Sequence, residues 1–199
     1  MWRWTLLLLA AAVLHAETVV FLGDSLTAGH GVAEREAWPA LVAERMKGSF
    51  PAWQAVNAGI SGDTTAGGLR RLPRLLERLK PDLVVVGLGA NDGLRGQDPD
   101  RIRENLRAII ARCRDRSVRT ALLGMQLPPS LGPEHAQRFA ALWAGLAKDE
   151  NVPLLPFLLE GVAGKPELNN PDGIHPNPEG HRIIAETVWK FLEPLLRKG

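Results

Sequence analysis

The run Leu83-Val84-Val85-Val86-Gly87-Leu88 constrains this chain more than any other feature, because every side chain in it is apolar. A strand with no polar face must be covered on both sides, and the usual solution is a parallel sheet between two layers of helices. The remaining sequence repeats the pattern. Thr18 to Leu22 is a β-branched run ending at Gly23, Ala55 to Ala58 reads as a second strand, and Arg119 to Gly124 and Val152 to Leu155 follow the central run. Helical spacing fills the intervals. Glu34 to Lys47 carries Trp38, Leu41, Val42 and Met46, and Thr65 to Lys80 repeats Leu69, Leu72, Leu75, Leu76 and Leu79, with Pro73 as its awkward member. Asp98 caps a helix from Pro99 that lines up Ile102, Leu106, Ile109 and Ile110. Pro133 to Asp149 and Pro178 to Leu196 supply two more helices. The expected fold class is α/β, a three-layer α/β/α sandwich around a parallel sheet.

With 199 residues the chain fits one domain, and no repeat or Pro/Gly linker divides it. Residues 1–16 stand apart. Arg3 lies ahead of an apolar run from Thr5 to Leu14, and Ala16 is a small residue at the expected cut, which together read as a secretory signal peptide. The run is shorter than the ~20 residues that span a bilayer, so no stable membrane insertion of the mature chain, residues 17–199, is expected. The protein is expected to be exported, to the periplasm of a Gram-negative source and otherwise into the medium. The 24 basic and 22 acidic side chains are interspersed and leave a net charge of +2, which gives nucleic acid no basic face to bind. The single cysteine, Cys113, has no internal partner and reads as a small buried residue. Nothing in the sequence fixes the oligomeric state.

The chemistry-bearing residues cluster where strands end. Gly23-Asp24-Ser25 follows the first strand, Gly59 the second, and Gly89-Ala90-Asn91-Asp92 the third. Right-handed crossovers bring those ends to one edge of the sheet. A serine needs a base to take its proton, and of His30, His135, His175 and His181 only His175 has a carboxylate at tight-turn spacing, in Asp172-Gly173-Ile174-His175. Asp172 would hold one ring nitrogen and leave the other facing Ser25, making a catalytic triad of Ser25, Asp172 and His175. Candidate donors to a developing oxyanion are the amide of Ser25, the amide of Gly59 and the side chain of Asn91. Asp24 and Asp92 are read as local loop hydrogen-bonders that hold Ser25 and Asn91. His30 is near enough in sequence to line the pocket. His181 either lies on the exposed side of the last helix or packs there.

Gly23-Asp24-Ser25-Leu26, Gly59, Asn91 and Asp172-x-x-His175 resemble, in order and spacing, the sequence blocks of the SGNH (GDSL) hydrolases. Within that family the chain is similar to the bacterial multifunctional thioesterase/protease/lysophospholipase and arylesterase group, through Ile60-Ser61-Gly62-Asp63-Thr64 and Asn91-Asp92-Gly93-Leu94-Arg95-Gly96. The resemblance implies a flavodoxin-like sheet, an acyl-serine mechanism needing no metal or other cofactor, and a mobile segment around Gly93 to Gln97. It also implies small lipophilic acyl esters or thioesters as substrates. Two positions depart from the family pattern. Ala90 stands where Gly often precedes the Asn, and His30 stands where Tyr is common. The Gly-x-Ser-x-Gly nucleophile elbow of the α/β-hydrolases is absent. Three other readings remain open at this level: a carbohydrate-ester deacetylase on the same fold, a non-catalytic lipid- or glycan-binding module, and a metal hydrolase using Asp24, Asp172 and His175.

Overall fold

The structure is a computed structural model that describes residues 16–197, so apart from Ala16 the expected signal peptide lies outside the described residues. Five parallel strands, β1 (Glu17–Gly23), β2 (Trp53–Gly59), β3 (Leu83–Gly87), β4 (Arg119–Leu123) and β5 (Leu154–Leu155), form one sheet in the order β2-β1-β3-β4-β5. The helices are α1 (Ser25–Ala28), α2 (Trp38–Ser49), α3 (Thr65–Leu79), α4 (Ala90–Leu94), α5 (Pro99–Arg114), α6 (Pro133–Glu150) and α7 (Pro178–Leu196). α2 packs on α7, while α3, α5 and α6 pack side by side. The three-layer α/β fold is as expected, and every residue of β3 is buried, as its composition demands. Trp38, Trp143, Phe21 and Phe139 are the largest fully buried side chains, and Cys113 is buried with its thiol pushed up by that burial.

Two local differences from the sequence reading, and one feature that it expected, have physical causes. The segment read as one helix over Glu34–Lys47 is a 3₁₀ turn, Glu34–Glu36, followed by α2. Pro39 sits in the first turn of α2, where an amide would have no helical acceptor, so its missing N–H costs nothing. β2 runs from Trp53, longer than its apolar stretch, because an edge strand keeps polar residues such as Gln54 and Asn57 on partly open positions. α3 continues through Pro73, which cannot donate to the carbonyl of Leu69 four residues back. Arg112 Nη1 of α5 donates to that carbonyl at 2.9 Å, so the orphaned acceptor is satisfied from the neighbouring helix.

The strand order places β1 between β2 and β3, so the chain leaves β1 toward one side of the sheet and returns on the other. Such a reversal opens a crevice at the carboxyl ends of the two inner strands. Ser25 follows β1 and Asn91 follows β3, one on each side of it.

Candidate active site

Asp24 ends the first strand turn and caps α1, its Oδ1 accepting the Leu26 N–H at 3.0 Å. Ser25 therefore stands at the first position of a helix of one turn, where backbone N–H groups lack helical acceptors. Its hydroxyl meets His175 Nε2 at 3.0 Å, and His175 Nδ1 meets Asp172 Oδ2 at 2.7 Å. The turn that makes the second contact is local. Gly173 takes φ +72°, a left-handed conformation that folds the carboxylate back onto the amides of Ile174 and His175, each 3.0 Å from Asp172 Oδ1. The loop is laced further: Asn170 N–H donates to His175 O at 2.8 Å, and Asn177 N–H donates to Leu168 O at 3.0 Å before capping α7.

The two backbone N–H bonds, then the His175 ring, hold the Asp172 carboxyl at about 2, so it is ionised at any working pH. An ionised Asp172 keeps the proton of a neutral imidazole on Nδ1 and leaves Nε2 able to accept the serine proton. His30 lies against this pair, its ring 4.5 Å from that of His175 and tilted by 51°. Ligand atoms of His30, Asp172 and His175 fall within 4.8 Å of one another, a spacing a metal ion could use. Both ring nitrogens of His175 and both oxygens of Asp172 are already hydrogen-bonded, so an ion there would have to break the Ser–His–Asp chain. Asp24, proposed with them as a metal ligand, instead caps α1.

Asn91 lies at the first turn of α4, and its Nδ2 donates to Asp63 O at 2.9 Å and approaches Asp24 Oδ2 at 3.4 Å. Asp92, expected to bond within its own loop, reaches instead to the start of α3. It accepts the Thr65 N–H at 2.9 Å and the Thr65 hydroxyl at 2.6 Å, fully buried, and so ties the Asn91 helix to the loop after β2. His181 is buried in α7, with Nδ1 accepting the Trp38 N–H at 3.2 Å; it packs rather than facing solvent.

Gly59 needs correction as an oxyanion donor. Its N–H donates to Asn57 Oδ1 at 2.9 Å, and that side chain is anchored in turn through Nδ2 to Thr27 O at 2.9 Å. The glycine is required there for a different reason: a Cβ would sit 2.3 Å from the backbone nitrogen of Ala28 in α1. Three residues on, Gly62 turns the chain at φ +79°, and its N–H has no acceptor among the described residues. Gly62 precedes Asp63, the residue whose carbonyl holds Asn91, so it lies on the Asn91 side of the crevice. The sequence signal was present in Ile60-Ser61-Gly62-Asp63-Thr64, but spacing alone does not tell which of two nearby glycine amides is free.

Residues 21–183 match the GDSL-like Lipase/Acylhydrolase family. The chain belongs to this family. As a member of this GDSL-like family it is a carboxylic ester hydrolase. It is 42% identical over 181 residues to Esterase TesA of Pseudomonas aeruginosa, covering 91% of this chain and 90% of that protein. It is 41% identical over 195 residues to the Thioesterase 1/protease 1/lysophospholipase L1 of Escherichia coli strain K12, covering 96% and 90% respectively. The crystal structure of TesA superimposes with a TM-score of 0.87 at 42% identity, over 90% of this chain and 99% of that one. The GDSL-like chain therefore shares the SGNH architecture that its sequence blocks implied. No helix among the described residues is long and apolar enough to cross a membrane.

Proposed function

We propose that this protein hydrolyses carboxylic esters and thioesters of lipophilic acyl groups through an acyl intermediate on Ser25. The observation that carries the reading is the continuous chain Ser25 Oγ–His175–Asp172 at 3.0 and 2.7 Å. His175 Nε2 takes the hydroxyl proton as Oγ bonds the acyl carbon, and then gives that proton to the departing alcohol or thiol. Water repeats the sequence on the acyl-enzyme, with His175 again as base and Ser25 leaving as the free hydroxyl. The carbonyl oxygen gains charge at both stages, and the proposed donors to it are the Ser25 N–H, the Gly62 N–H and the Asn91 side-chain amide, whose second hydrogen makes only the long 3.4 Å contact to Asp24 and can turn from it to the oxyanion.

Substrate class is read from the rim. The exposed large apolar side chains among the described residues are Ile60 (51%), Leu94 (43%), Leu131 (40%) and Ile174 (56%). Ile60 follows β2, Leu94 ends the Asn91 helix and Ile174 adjoins His175. The His135 ring bonds Gly93 O at 3.1 Å and joins the start of α6, just beyond Leu131, to the same helix. Apolar exposure gathered around a nucleophile favours acyl chains over acetylated sugars. Export, read from residues 1–16, makes esters outside the cytoplasm the natural substrates and thioester cleavage a capability.

Ser25→Ala tests the reading. Hydrolysis of a chromogenic acyl ester is expected to fall by at least about 10⁴-fold with the circular dichroism spectrum unchanged. A fluorophosphonate is expected to label the unsubstituted protein at Ser25 and spare the variant. Retained turnover in the variant would overturn the mechanism, and preference for acetylated glycans across a chain-length series would overturn the substrate class.

A further inference from the structure

Arg71, on the second turn of α3, makes three charge-assisted hydrogen bonds to three separate segments of the site. Its Nε donates to Asp63 Oδ2 at 2.7 Å, its Nη1 to Ala58 O at 2.7 Å and its Nη2 to Gly23 O at 3.0 Å. The side chain is only 20% exposed and that of Asp63 only 12%. We infer that Arg71 is a positioning residue for the oxyanion site, a rigid planar clamp that sets the spacing of all three proposed donors. The inference rests on the acyl-serine reading above.

The connectivity supports this donor by donor. Gly23 lies two residues before Ser25, at the end of the strand that delivers the nucleophile. Ala58 O lies one residue before the end of β2, and the loop that follows is stitched back by the Ile60 N–H to the same Gly23 O at 3.0 Å. Asp63 follows Gly62 directly, and its carbonyl holds Asn91 Nδ2. Asp63 Oδ1 meanwhile accepts the Thr64 N–H at 2.9 Å, so the carboxylate cannot swing while Arg71 holds Oδ2. Guanidinium suits this task because its N–H groups are fixed in one plane, whereas an ammonium on a flexible stem offers a point charge with rotatable donors. Misplacement of a donor by a fraction of an ångström weakens its bond to an oxyanion more than to a ground-state carbonyl, so the cost should appear in turnover rather than in substrate binding.

The experiment compares Arg71→Met, Arg71→Lys and Asp63→Asn with the unsubstituted protein on a chromogenic acyl ester. An alkylboronic acid, which adds reversibly to the serine as a tetrahedral anion, reports on the donors, and a free fatty acid reports on ground-state binding. Arg71→Met is expected to lower kcat by about 10²-fold, with KM within about twofold and boronate affinity falling in parallel with kcat/KM. Fatty-acid inhibition should be unchanged, and Arg71→Lys should recover part of the loss. Asp63→Asn keeps the fold-stabilising contacts to Ala58 and Gly23, and is expected to lose about tenfold in both kcat and boronate affinity; it decides the question if Arg71→Met does not fold. Unchanged kcat and boronate affinity in the folded variants would overturn the inference, as would equal losses of boronate and fatty-acid binding. Fluorophosphonate labelling of the unsubstituted protein at Ser25 tests the underlying mechanism separately, so either can fail alone.

Discussion

Asp24 and Asp172 are the same side chain, one next to Ser25 and one hydrogen-bonded to His175, and their surroundings drive them in opposite directions. Asp24 is buried, and loss of water raises its carboxyl to about 6 against the pull of the Leu26 N–H. Asp172 is exposed, yet the amides of His175 and Ile174 followed by the imidazole lower it to about 2. Nearness to Ser25 or His175 therefore does not determine charge. What matters is how many donors face the carboxylate against how much water it has lost. Asp172 serves as the permanent anion of the site, and Asp24 as a cap that carries its charge at a cost.

The largest effect that would break this contrast is at Asp172. Asp172→Asn leaves the turn able to form but no longer selects the His175 tautomer, and esterase turnover is expected to fall on the order of 10⁴-fold without a matching drop in melting temperature. A loss under tenfold would mean that the exposed carboxylate is dispensable.

The next effect is on stability and has the opposite sign from most substitutions. Asp24 binds its proton more tightly folded, at about 6, than in the reference state at 3.8. It therefore favours the fold below 3.8, and that contribution is lost as the pH rises through about 6. Above that range the buried charge costs on the order of 3 kcal/mol. Asn is an equally good helix cap without the charge. Asp24→Asn is thus expected to raise stability to urea at pH 7 by up to about 3 kcal/mol and to change it little near pH 4. No gain at pH 7 would show that Asp24 is better solvated than its burial implies.

A buried base sharpens the contrast from the acid side, with no effect at pH 7. Burial lowers His181 from 6.5 to about 4, partly opposed by Glu36. The unfolded chain takes up the proton first, so stability falls as the pH drops from 6.5 toward 4, by at most about 1.4 kcal/mol per pH unit. This slope runs against that of Asp24 where the two windows overlap. Each must be read against its own variant, and His181→Gln is expected to flatten the acid-side decline in urea midpoints.

The sequence was most informative where geometry is local. Asp172 and His175 lie three residues apart with Gly173 between, and one left-handed glycine is enough to join them. The buried strand Leu83–Gly87 announced itself because burial on both faces leaves a mark at each position. Asp98 and Pro99 marked the start of α5 because a cap acts within its own turn. Gly59 misled for the converse reason. It is a glycine next to a strand end, as an oxyanion donor would be, but the absent side chain makes room for α1 and its amide already has a partner in Asn57.

By itself the sequence determined the alternating α/β architecture, the serine and its His–Asp partner, and the edge of the sheet where they meet, since periodicity and short turns are written in neighbouring residues. The tertiary structure alone decided which glycine amide is free, that Asp92 reaches Thr65 at the start of α3, that His181 is buried, and that Arg71 joins the end of β1 to β2 and the loop that follows it. Each of these depends on a contact between distant parts of the chain: Asn57, which takes the Gly59 N–H, is itself anchored on Thr27, Asp92 on Thr65, His181 on Trp38 and Arg71 on Gly23, and only folding brings those partners together.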